Sequence, residues 1–192
     1  MNHPTFEGLV LAGGRSSRMG RDKALLMRGD ETWMVRQARV LREAGCRKVR
    51  VAIGQGAAHE LPGCDILVDR TSDVGPLEPM AHGLLLLQES HLVVLAVDLP
   101  DITTEFVQTL MARCDEERGC VPRTASGWEP LAAVYPRSLE TQARDHLVRN
   151  ILSLRKLVDF GIGANLLLPW DLDAGEQQIL LNANHPHEIP EF

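Results

Sequence analysis

The residues best suited to chemistry lie in one early stretch, Leu9-Val10-Leu11-Ala12-Gly13-Gly14-Arg15-Ser16-Ser17-Arg18-Met19-Gly20-Arg21-Asp22-Lys23. An apolar run stops at Gly13-Gly14, and a polar loop carrying Arg15, Arg18, Arg21 and Lys23 takes over. Glycine has no Cβ and tolerates positive φ, so the backbone can turn tightly and press N–H groups against a ligand. Successive amides turned inward form a concave nest for phosphate oxygens. Arg18 can grip phosphate in a two-pronged way, and Lys23 adds a compact charge. A polyphosphate fits this combination. The spacing matches neither common nucleotide loop. Gly20 is followed by Arg21-Asp22-Lys23 rather than Lys-Ser/Thr, and adjacent glycines do not make G-x-G-x-x-G.

Two carboxylates could complement that loop. Asp98 follows the apolar run His91 to Val97 and precedes Pro100. A carboxylate there can bind Mg²⁺, which takes oxygen ligands and is usually completed by substrate phosphates; the alternative is an Asp that shapes the turn. Asp69 follows the run Cys64 to Val68 and can accept two hydrogen bonds, which suits a base edge or a ribose hydroxyl. Asp73 competes for the same task, and a carboxylate in such a loop can also be purely structural.

These groups need strands and helices to hold them. Thr32 to Ala44 has apolar residues at helical spacing and closes with Gly45, and Arg36, Arg39 and Arg42 form another, surface-facing side. Lys48 to Ile53 and Cys64 to Val68 read as strands, and a helix is expected from Pro76 to about Glu89. His91 to Val97 reads as a strand buried on both faces. Thr103 to Glu117 reads as a helix, Gly119 to Pro122 and Leu131 to Tyr135 as strands, and Pro136 to Arg144 and Ile151 to Val158 as helices. Residues 165 to 178 read as an acidic loop, and Ile179 to Pro186 as a strand ending in asparagines. Alternation of this kind predicts an α/β fold, Rossmann-like, with a mostly parallel central sheet and helices on both faces. Ligands of such sheets bind at the C-terminal strand ends, where Gly13-Gly14, Asp69 and Asp98 are all expected.

With 192 residues, 44% hydrophobic and 24% charged, one globular domain over residues 1–192 is expected. A net charge of −6 with only one basic cluster argues against nucleic acid as a partner. Cys46, Cys64, Cys114 and Cys120 form no C-x-x-C pair and are read as reduced thiols. The histidines are read as surface groups, and Trp33, Trp128 and Trp170 as packing residues, with base stacking open at Trp128. The first residues lack a signal-peptide pattern and no apolar run could span a bilayer, so a cytoplasmic location without membrane contact is expected.

The opening stretch resembles the nucleotidyltransferase signature L-A-G-G-x-S-x-R-M-G-x-x-K. With Asp69 and Gly75-Pro76-Leu77, Val97-Asp98-Leu99-Pro100, Glu129-Pro130-Leu131-Ala132-Ala133-Val134-Tyr135 and Asn182-Ala183-Asn184-His185-Pro186, the chain is similar to molybdenum cofactor guanylyltransferases. That resemblance implies transfer of GMP from GTP to molybdopterin with release of pyrophosphate, aided by Mg²⁺. It implies GTP binding by Leu11, Ala12, Gly13, Gly14, Lys23, Asp69 and Asp98, metal binding by Asp98, and a catalytic role for Arg18, Lys23 and Asp98. Asn182 and Asn184 would lie near the pterin, and the product would pass by transient contact to molybdoenzymes or cofactor-carrying proteins. Glu78-Pro79 stand where the family has a small residue and Gly, and His185 replaces a Thr. The cytidylyl counterparts commonly carry L-A-A-G, so Gly13 favours the guanylyl branch. Sugar-phosphate nucleotidyltransferases share the opening stretch, and a non-catalytic nucleotide-binding accessory protein could carry it too.

Overall fold

The computed structural model describes residues 3–13, 25–54, 61–68 and 74–180. Its elements run β1 (Phe6–Leu11), β2 (Met27–Arg28), β3 (Glu31–Thr32), α1 (Trp33–Ala44), β4 (Val49–Ile53), β5 (Asp65–Val68), α2 (Leu77–Leu85) and β6 (His91–Ala96). There follow α3 (Thr104–Ala112), β7 (Gly119–Thr124), β8 (Gly127–Trp128), β9 (Ala132–Pro136), α4 (Glu140–Val148), α5 (Leu154–Gly163), β10 (Leu167–Asp171) and α6 (Ala174–Ile179).

One sheet has the order β10-β7-β9-β6-β1-β4-β5, with β8 paired to β7. Strands β1, β4, β5 and β6 are parallel, as are β7 and β10, whereas β9 runs antiparallel to both β6 and β7. The expected α/β fold with a mostly parallel sheet is therefore present. From β1 the chain moves outward to β4 and β5, then returns to β6 on the other side of β1. The strand order reverses at the β1–β6 boundary, which makes the C-terminal ends of these two strands the crevice where open α/β sheets bind ligands.

Every residue of β1 and of β6 is buried, because helices cover both faces. Val10, Val93 and Leu95 pack with Met34, Ala38 and Leu41 of α1 and Phe106, Val107 and Leu110 of α3. Leu9, Leu11, Leu92 and Val94 pack on the other face with Leu77, Met80 and Leu84 of α2 and Leu157 and Val158 of α5. Helix α1 begins where Thr32 Oγ1 accepts from the Val35 amide, and it stops at Gly45, whose φ of 111° is left-handed.

Three expectations are corrected. Residues 165 to 178 are not a loop: they contain β10 and most of α6. Leu167 and Trp170 are buried on opposite faces of β10, in the two halves of the core, and Pro169 is tolerated because this edge strand has β7 as its neighbour on one side only. An Asp173–Glu176 capping box then starts α6. Ile179 closes α6 and so does not begin a strand; residues 181–186 lie outside the described residues. His91 and His146 are buried rather than surface groups, since β6 is central and His146 lies with Ala143 on the inward face of α4.

Candidate active site

The ends of β1, β4 and β6 are bound together by backbone hydrogen bonds. Ala12 and Gly13 both donate their amides to Ala52 O at the end of β4, at 2.9 and 3.0 Å. Val97 N donates to Leu11 O at 3.1 Å, which places the residue before Asp98 directly beside the end of β1. Leu11 and Ala12 are buried, Gly13 is exposed and Asp98 is half-buried. These four sequence-derived site residues therefore meet at the switch point. Because the amides of Ala12 and Gly13 are already engaged, any amide nest for a ligand can begin only after Gly13. Gly14, Arg18, Lys23, Asp69, Asn182 and Asn184 lie outside the described residues, as does Asp73.

The segment after Asp98 is held from α1 and from the strand before it. Gln37, fully buried, donates Nε2 to Leu99 O at 2.6 Å. Arg36 donates to Ile102 O at 2.9 Å, and Arg28 reaches Pro100 O and pairs with Asp101 at 2.9 Å. Burial and the neighbouring Arg28 charge lower the Arg36 pKa from its ordinary value. Arg36 is thus not a solvated surface group, and Arg28 and Gln37 carried no signal in the sequence because their partners are backbone carbonyls. Thr103 caps α3 by accepting from the Phe106 amide at 3.1 Å, fixing the far end of the same segment.

A second carboxylate approaches from the other side. Ala96 N donates to Leu131 O at 2.8 Å, so the turn leading into β9 runs beside the end of β6 and carries half-buried Glu129 into this edge. Buried Tyr135 donates its hydroxyl to Pro130 O at 2.7 Å, and Thr124 donates to Glu129 Oε1 at 3.0 Å. The Glu-Pro-Leu-Ala-Ala-Val-Tyr spacing is the trace of that turn, with Tyr135 tying back to it. Trp128, half-buried, donates Nε1 to Asp159 at 2.9 Å and has the Arg123 guanidinium 5.3 Å from its ring centre.

Among the described residues no group of three or more His, Cys, Asp or Glu side chains could hold a metal ion. The hard oxygen of Asp98 nonetheless suits a cation that takes most of its ligands from phosphates and water. The four cysteines are free, and burial pushes the thiols of Cys46 and Cys120 up to about 12, so neither is a nucleophile at neutral pH. Among the described residues no helix is long and apolar enough to cross a membrane.

Known proteins share this fold. A protein from Opitutus terrae named as a probable molybdenum cofactor guanylyltransferase is 34% identical, over 97% of this chain and 94% of its own. The crystal structure of molybdopterin-guanine dinucleotide biosynthesis protein A from Archaeoglobus fulgidus superposes with a TM-score of 0.71 over 95% of this chain and 94% of its own, at 18% identity. A Mycobacterium tuberculosis protein crystallised as a complex with manganese superposes with a TM-score of 0.63, at 20% identity, over 93% of this chain and 99% of its own. The model of the MobA-like NTP transferase domain matches residues 8–160, from β1 through most of α5. On that match, and on the likeness to the Opitutus protein, the chain belongs to the MobA-like NTP transferase family.

Proposed function

We propose that the chain transfers GMP from GTP to molybdopterin and releases pyrophosphate, forming the molybdopterin guanine dinucleotide cofactor. The supporting observation is the meeting of the Leu11–Gly13 turn with Asp98 at the switch point, fixed by the bonds of Ala12 and Gly13 to Ala52 and of Val97 to Leu11. The names of the relatives supply the substrates.

In this mechanism Gly14 and the residues after it cradle the phosphates, while Arg18 and Lys23 hold the pyrophosphate as it leaves. Asp69 takes the guanosine. Asp98 would hold Mg²⁺, which when bound would neutralise charge on the reacting phosphate; manganese in the Mycobacterium tuberculosis structure supports a divalent ion. Asn182 and Asn184 orient the pterin. The attacking group is already an anionic oxygen, so positioning and neutralisation do most of the work and no general base is needed. The contacts of Gln37 and Arg36 from α1 and of Arg28 from β2 keep Asp98 in place while charge builds up beside it. We further propose that residues 1–192 act as one domain, in the cytoplasm, and hand the product on through transient contact with molybdoenzymes or cofactor-carrying proteins.

The test is pyrophosphate release from each of GTP, CTP, ATP and UTP, with molybdopterin and Mg²⁺ supplied. GTP alone should support turnover; a preference for CTP would overturn the guanylyl assignment.

A further inference from the structure

Glu78 is an acid in an unusual place. It sits in the first turn of α2 and is only 8% exposed, yet its carboxylate atom Oε2 is buried with no hydrogen-bond partner among the described residues. A buried carboxylate oxygen left unpaired is costly, so the fold has reason to keep it only if a donor arrives from elsewhere. Residue Leu85, seven positions on and therefore on the same helix face, is 54% exposed. Burial at Glu78 therefore comes from what lies at the N-terminal end of α2 and not from the face it shares with Leu85.

That end is the crevice. A Cβ on Gly83 would lie 2.9 Å from Leu9 Cδ2 and 3.1 Å from Leu92 Cδ2, which sets the level of Gly83 on β1 and β6. Five helical residues back toward the start of α2 cover ~7.5 Å, or about two strand residues at ~3.3 Å each. Glu78 is thus level with the last residues of β1, just below the Leu11–Gly13 turn. It also follows the same β5–α2 connection that carries Asp69, the group assigned above to guanosine.

We propose that Glu78 is a specificity-determining residue that accepts hydrogen bonds from the nucleobase, a deepening that rests on the GTP reading above. A carboxylate repels phosphate and, among the described residues, stands in no cluster able to hold a metal ion. Its natural guest is a neutral edge with two neighbouring donors. Guanine offers N1–H and the N2 amino group side by side; adenine offers an acceptor beside a donor, and hypoxanthine lacks the amino group.

Calorimetric titration of the full chain with GTP, ITP, ATP and CTP in excess Mg²⁺ tests this. The wild-type chain should bind GTP at least ~10-fold more tightly than ITP and ATP. In Glu78→Gln, which keeps shape and volume, and in Glu78→Ala, both ratios should fall to within ~3-fold of one. A merely structural Glu78 would weaken all four nucleotides alike and leave the ratios standing. A wild-type chain that prefers GTP, with both ratios intact in both variants, overturns this inference alone. A wild-type preference for CTP overturns it together with the function proposed above.

Discussion

Asp98 is the residue whose removal the chemistry tolerates least, because in the proposed reaction it is the one described carboxylate assigned to the metal. Asp98→Asn keeps the size of the side chain and removes the charge. Turnover should fall by a factor on the order of 10² or more, while the thermal midpoint moves little, since Asp98 is half-buried and outside the core. Pyrophosphate release and a melting curve on the same sample check both halves. Buried charge at the opposite edge behaves otherwise. Glu7 and Arg50 form an ion pair inside the molecule, where Glu7 also accepts from the amides of Gln88 and Glu89 at 2.9 and 3.3 Å, and Arg50 donates to Leu86 O at 3.1 Å. Arg50→Met strands that carboxylate and should cost about 3–5 kcal/mol of stability in a urea titration, leaving the GTP affinity of the folded fraction unchanged. His91 adds a pH dependence. Burial beside Phe6 lowers its pKa from the ordinary value near 6.5, so the folded state keeps the neutral ring while the unfolded chain takes up the proton. Its contribution to stability is complete above that ordinary pKa and is lost as pH falls through it, at up to ~1.4 kcal/mol per pH unit. The urea midpoint should therefore drop between pH 7.5 and 5.5, and His91→Gln should flatten that drop.

At the level of elements, the segment after Asp98 is held by side chains of α1. Gln37 sits in the middle of α1, fully buried, and its amide is bonded to Leu99 O, one residue from Asp98. Gln37→Ala removes that bond and leaves a buried carbonyl unpaired, a loss of about 1–3 kcal/mol. Because a misplaced catalytic group costs rate more than binding, kcat should fall ~10-fold or more while the KM for GTP changes little. Steady-state kinetics at two GTP concentrations, one far above KM, separate these effects; an unchanged kcat would remove Gln37 from the positioning network. None of this could be read along the chain. Gln37 lies within an ordinary amphipathic helix, and a partner that is a carbonyl 62 positions away leaves no residue pattern. What could be read was local: Thr32 and Gly45 bracket α1 to the residue because capping and left-handed backbone constrain residue type.

For the whole molecule, the same distinction separates the two halves of the sheet. Strands β1 and β6 could be read from the apolar runs Leu9 to Ala12 and His91 to Val97, since a strand covered on both faces buries nearly every side chain. β1 and β4 admit Glu7 and Arg50 only as a buried pair, and the strand order that makes the switch point came from the fold. The edge was harder. β10 has one neighbour, admits Pro169 and exposes Asp171, so its five residues resemble a loop until β7 is seen beside them. Yet the edge is structural, and it lies beyond residue 160, where the match to the domain model ends. Trp170 is 5% exposed and stacks on Phe106 with ring centres 5.0 Å apart, the Arg113 guanidinium lies 4.3 Å from its ring, Leu172 is buried in the same cluster, and Leu167 is buried on the opposite face of the sheet. Trp170→Ala should therefore cost about 3–5 kcal/mol, a large part of the ~5–15 kcal/mol that holds a typical domain together. A chain ending at Gly163 loses all three side chains and leaves β7 as a bare edge beside β9. It should fail to unfold cooperatively and should aggregate on purification, while Trp170→Phe, which keeps most of the ring contact with Phe106, should melt within a few degrees of the wild type. A cooperative, monomeric chain of residues 1–163 would show that the segment after α5 is an ornament on the sheet and not part of its core.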